Sequence, residues 1–328
     1  MPSSRHLVDP ELAPLLDVMP PIGVTGATLA AIRQSIVATT EPRIAPSDKD
    51  IERLIWSVPG IGAEGDVRVV VYKPRRLTAP IPLLFDLHGG GFVFGTADMS
   101  DPSHRAWAEA TSCIVASVDY RLAPETRYPG ALDDCFAALN WAYANAIRLG
   151  VDPARIAIRG ESSGGGLAAA LALRARDEGG PPIAFQLLIY PMLDDRTGAT
   201  RAAPPFGGEF IWTAADNRFA WEAVLGVPPG SATGVSPYAA PARATDLSGL
   251  PPTLMATAAL DIFIEENLDY ARRLLAAGVP TELIVAPGAY HGFDTLNPNA
   301  AVSRTFTARC MEALRRAFGT AMTGSAAL

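Results

Sequence analysis

The segment Gly160-Glu161-Ser162-Ser163-Gly164 sets a serine between two glycines, a G-x-S-x-G pattern. It follows the apolar run Ile156-Ala157-Ile158 and precedes Leu167-Ala168-Ala169-Ala170. The residues read as strand, abrupt turn and helix. A serine at such a turn is held out of the sheet, and flanking glycines let the neighbouring backbone approach without Cβ clashes. The helix start adds unpaired N–H groups and a positive dipole, which suit a developing oxyanion. The pentapeptide alone fits a glycine-rich turn with Ser162 as helix cap equally well. A phosphate loop fits less well, because no lysine follows the glycines. A second piece, His88-Gly89-Gly90-Gly91-Phe92, comes straight after the apolar run 83–87. Three consecutive glycines are entropically costly unless exposed backbone amides are wanted there. Such a loop can aim two amides at a carbonyl oxygen, and the amide of Ser163 supplies a third.

Serine chemistry of this kind needs a histidine base, and the chain has four: His6, His88, His104 and His291. His6 falls in a leader of weak pattern, His88 belongs to the glycine loop, and His104 stands among polar residues ahead of a helix. His291, in Ala289-Tyr290-His291-Gly292-Phe293, follows the last strand, where a loop can bring it to the serine. The acid should follow a late strand and precede His291. Asp261 does so, 30 residues earlier, while Asp194, Asp195 and Glu265 compete and read as loop and helix-start carboxylates. Its role would be to hold the imidazole tautomer and stabilise the imidazolium. The order serine, acid, histidine is one of those in which such triads occur.

These residues must be positioned by an alternation that starts near residue 67. Short β-branched runs at 67–72, 83–87, 114–118, 156–158, 185–189, 253–258 and 282–285 predict strands. Ala- and Leu-rich stretches at 105–111, 131–148, 164–176, 265–277 and 303–318 predict helices, and together they make βαβ units of a mainly parallel sheet. Residues 1–50, with a helical patch at 27–36, precede the rhythm, and 196–226 interrupts it. The interruption holds Phe206, Phe210, Ile211, Trp212, Phe219 and Trp221, which either pack as core or roof an apolar pocket. The tail 320–328 is expected to be loose.

Composition narrows the classes. With 27 basic and 34 acidic residues the net charge is −7, which is wrong for a nucleic-acid coat. Hydrophobic residues at 49% and charged ones at 19% suit a globular core. Cys113, Cys135 and Cys310 are widely spaced with no CxxC, so they read as core residues, with neither a disulfide framework nor a zinc site implied. Residues 1–21 lack the basic start and apolar run of a signal peptide, and no apolar stretch reaches membrane-span length. A cytoplasmic protein is expected.

The combined motifs resemble the hormone-sensitive-lipase-like family of α/β-hydrolases, the bacterial family IV esterases. Beside the two loops, the resemblance rests on Asp119-Tyr120-Arg121-Leu122-Ala123-Pro124-Glu125, on the Asp261 segment, on Tyr290-His291-Gly292-Phe293, and on Ser236-Pro237-Tyr238 with Leu250-Pro251-Pro252-Thr253. It covers about 67–318. It implies an α/β-hydrolase fold with nucleophile Ser162, acid Asp261 and base His291, and oxyanion amides at Gly90, Gly91 and Ser163. It implies a helical cap from 1–50, with 196–226 closing over the catalytic domain 51–328, and charged residues of 119–125 in a structural network under the oxyanion loop. Phe92, Phe210 and Trp212 are the expected substrate-lining residues. The substrate would be a small short- to medium-chain ester, with no metal or organic cofactor and no nucleic acid, and a homodimer is open. Glu161 and Ser163 stand where Asp and Ala are commoner in the family, and Ile262-Phe263 where Pro-Leu is frequent. A lyase or dehydratase, or a non-catalytic receptor on the same fold, are the rival readings.

Overall fold

The computed structural model describes residues 3–61, 65–78, 80–230 and 234–320. Eight strands form one sheet: β1 (Ile51–Pro59), β2 (Asp66–Pro74), β3 (Ile81–Leu87), β4 (Ile114–Asp119), β5 (Val151–Glu161), β6 (Phe185–Ile189), β7 (Thr253–Ala258) and β8 (Thr281–Ala286). Their order is β1-β2-β4-β3-β5-β6-β7-β8. β2 runs antiparallel to both its neighbours, β1 and β4; from β4 to β8 every pair is parallel. The helices are α1 (Leu29–Thr40), α2 (Asp101–Thr111), α3 (Gly130–Ala144), α4 (Ala146–Leu149), α5 (Ser163–Asp177), α6 (Ala214–Leu225), α7 (Ile264–Ala276), α8 (Phe293–Leu296) and α9 (Ala301–Phe318).

Burial explains the layering. Every residue of β3 is buried, as a parallel strand covered on both faces must be. One apolar layer joins α3, α5 and α7 to the sheet through Leu139, Leu171 and Leu274. The other joins α2 and α9 through Trp107 and Phe306. In α5 the run from Ser163 to Leu173 is wholly buried, and its glycines and alanines let the helix lie close over the sheet.

The strand at Ile51–Pro59 was not expected. It is a sheet edge whose residues are largely half-buried or exposed, so it shows no alternation; register with β2 along its whole length orders it. The helix expected over 131–148 breaks at Asn145, whose side chain donates to the Trp141 carbonyl and competes with the helical ladder. The expected strand at 156–158 extends over the whole of β5. His6 stands in a short 3-10 turn, and His104 lies inside α2. The tail beyond Thr320 lies outside the described residues. No described helix is long and apolar enough to cross a membrane.

Candidate active site

Three strand ends supply the three side chains. Ser162 sits between the end of β5 and the start of α5 with φ 57° and ψ −124°, a conformation that a non-glycine residue rarely adopts. Backbone bonds hold it there: its N–H donates to the Ile189 carbonyl, and its carbonyl accepts from Gly166 and Met192. At Gly164 the reason for glycine is space, since a Cβ would lie 2.0 Å from the Leu87 carbonyl oxygen. The helix start is thereby pressed against the end of β3. Asp261 follows β7 and His291 follows β8.

The histidine bridges the other two. His291 Nδ1 lies 2.6 Å from Asp261 Oδ2, and His291 Nε2 lies 2.9 Å from Ser162 Oγ. Asp261 is fully buried and also accepts from the Phe263 N–H at 3.0 Å. Tyr190 and Phe263 meet the imidazole edge-on at 4.9 and 5.3 Å, which restricts its tilt. The competing carboxylates are engaged elsewhere. Asp194 pairs with Arg196 and Arg201, Asp195 pairs with Arg243, and Glu265 is exposed.

The glycine loop runs beside the serine. Gly90 has φ 122° and Gly91 φ 60°, both favouring glycine; a Cβ on Gly90 would meet the Phe94 carbonyl oxygen at 2.1 Å, and one on Gly91 would meet the Trp212 ring at 2.4 Å. The loop closes on itself where Val93 and Phe94 donate to the Gly90 carbonyl. From beneath, the Tyr120 hydroxyl donates to the His88 carbonyl at 2.6 Å, and the two rings stack at 4.1 Å. Burial pushes the His88 imidazole below its ordinary pKa, against the opposing pull of its bond with the Gly89 carbonyl. From above, Arg33 of α1 reaches the Val93 and Ala123 carbonyls and both oxygens of Glu125. Asp119 accepts from the Ala97 N–H, and Arg121 pairs with Asp134. The charged residues of 119–125 thus act as struts around the loop.

The family described as the alpha/beta hydrolase fold matches residues 84–295, from β3 to α8. This chain belongs to the alpha/beta hydrolase family. It is 38% identical over 321 residues to Carboxylesterase NlhH of Mycobacterium tuberculosis, covering 96% of this chain and 97% of that protein. It is 36% identical to Esterase LipI of the same species, with 88% of each covered. Among solved structures, Bacterial Heroin Esterase superposes with a TM-score of 0.89 at 41% identity, covering 96% of this chain and 99% of that one.

In this alpha/beta hydrolase the pocket over Ser162 encloses about 130 Å³. Trp212 lines it, as do Gly90, Gly91 and His291. Phe92 and Phe210 do not: Phe92 packs on Trp221 and Phe210 on Tyr290. Their places are taken by Ile22, Phe94, Tyr190 and Ile211. Ile22 arrives from the N-terminal segment, whose backbone is bonded to the 196–226 segment by Ile22 N–H to the Ile211 carbonyl and Val24 N–H to Asp216. No motif announces Ile22, because that contact spans most of the chain.

Proposed function

We propose that the protein is a serine carboxylesterase that hydrolyses short- to medium-chain esters through an acyl-enzyme. The continuous hydrogen-bonded line from Asp261 through His291 to Ser162 carries this reading. Ser162 attacks the ester carbonyl while His291 Nε2 takes its proton, and Asp261 steadies the resulting imidazolium. The amides of Gly90, Gly91 and Ser163 receive the oxyanion, two from the constrained glycine loop and one from the first residue of α5. His291 then protonates the leaving alcohol and activates the water that frees the acid.

Residues 1–50 and about 196–226 form the cap, and the bonds from the Ile22 N–H to the Ile211 carbonyl and from the Val24 N–H to the Asp216 carboxylate support treating them as one roof. The relatives' names support the reaction class. The cysteines, free and buried, suit a reducing compartment, and the cytoplasm is the proposed location.

Rates against para-nitrophenyl esters from acetate to palmitate test the substrate range. With a pocket of about 130 Å³ the short and medium chains are turned over fastest, and palmitate is slower by about tenfold or more. A rate that climbs steadily to palmitate rejects the short-chain assignment. A Gly90→Ala variant tests the loop: relieving the Cβ clash with the Phe94 carbonyl must move the amides, and kcat should fall by about 10²–10³. Unchanged kcat in that variant removes the loop from the mechanism.

A further inference from the structure

The pocket over Ser162 shares walls with a larger cavity of about 400 Å³; Met99, Glu161 and Thr295 line both. The small pocket has room for a short chain, and the large cavity has room for the rest of an ester. Asp294 and Thr295 of α8 line the cavity, and Thr295 also lines the small pocket beside His291, so the two spaces meet next to the imidazole. There the leaving oxygen must take its proton.

Two carboxylates, Glu161 and Asp294, line this cavity together with Arg159 and the exposed Arg43. Glu161, only 7% exposed, accepts from Arg159 through Oε2 at 3.1 Å, and its Oε1 has no hydrogen-bond partner among the described residues. Arg159 also pairs with Asp86, whose other oxygen lies 2.8 Å from His104 Nε2. Two carboxylates therefore answer one guanidinium. Asp294 is the second carboxylate of the lining, with one oxygen accepting from the Tyr190 hydroxyl at 2.8 Å. Burial, and then the charge of Glu161, push the Asp294 carboxyl up to about 6, as expected of two acids facing one space. The remaining cation on the wall, Arg43, is exposed to water, and the Cys310 thiol is kept neutral by burial. A neutral occupant would leave Glu161 Oε1 buried without a partner, a costly arrangement; a cation would satisfy it.

We propose that this cavity binds the alcohol half of an ester that carries a cationic nitrogen, a protonated amine or quaternary ammonium, with Glu161 and Asp294 as the specificity-determining carboxylates. The inference rests on the esterase reading. Its test uses the full chain and three substrates: butyrylcholine, its neutral isostere 3,3-dimethylbutyl butyrate, and para-nitrophenyl butyrate. The cationic ester should exceed its isostere in kcat/KM by about tenfold, the equivalent of one modest charge contact. Glu161→Gln and, separately, Asp294→Asn should each bring that ratio towards one by raising KM for butyrylcholine. Asp294→Asn keeps the test usable if loss of the Glu161 charge unsettles Arg159. Equal kcat/KM for the pair, with para-nitrophenyl butyrate still hydrolysed, overturns the subsite alone. A preference that survives in both variants also overturns it, and loss of turnover of all three substrates overturns the esterase reading as well.

Discussion

Ser162→Ala is expected to lower kcat by about 10⁶-fold with little change in melting temperature. Among the described residues the hydroxyl makes a single hydrogen bond, to His291 Nε2, while the turn that holds the residue is fixed by backbone bonds to Ile189, Gly166 and Met192. Those bonds survive the substitution. The neighbouring Ser163 offers no substitute, since its side chain is wholly buried at the first position of α5. Steady-state turnover of para-nitrophenyl butyrate, read beside a thermal melt, checks both halves. Residual turnover within tenfold of the parent, with a folded variant, would show that bond formation takes place elsewhere.

Asp261→Asn should cost about 10⁴-fold in kcat with the overall structure retained. The carboxylate accepts from the His291 Nδ1–H and from the Phe263 N–H. An amide there presents its NH₂ to the ring and favours the tautomer with the proton on Nε2. That nitrogen then has no lone pair with which to take the Ser162 proton. The loss should fall on kcat, with KM near its parent value, because Asp261 is fully buried and lines no part of the pocket. Glu265→Gln is the matched control, an exposed change near the acid that should leave stability within about 0.5 kcal/mol. If Glu265→Gln removed turnover and Asp261→Asn did not, the two carboxylates would exchange roles.

The parts legible in the chain are those whose cause is local. The strands at Phe185–Ile189 and Thr253–Ala258 match their expected bounds, because short apolar runs closed by turn residues fix them. Ser162, Asp261 and His291 could be singled out because each follows such a run, and each meets the partner expected of it. The remainder depends on contacts between distant residues. β1 is ordered by pairing with β2, a relation that its own apolar pattern does not encode. Phe210 carries the right chemistry for a pocket wall, yet it packs on Tyr290, while Phe92 packs on Trp221 and lines a separate apolar cavity with Leu167 and Val224. The contact between Arg159 and Asp86 links residues 73 apart, so neither motif on its own shows it.

Ser162, His291 and Asp261 all hang from strand ends on one rim of the sheet, whereas Ile22, Ile211 and Trp212 above them come from segments outside the β/α alternation. Part of the wall that surrounds the ligand is therefore written in stretches of polypeptide apart from those that carry the reacting side chains. Drift in the covering segments can change which molecules are admitted while the reacting atoms keep their spacing. Such a division allows one chemical apparatus to diversify across many compounds without being rebuilt.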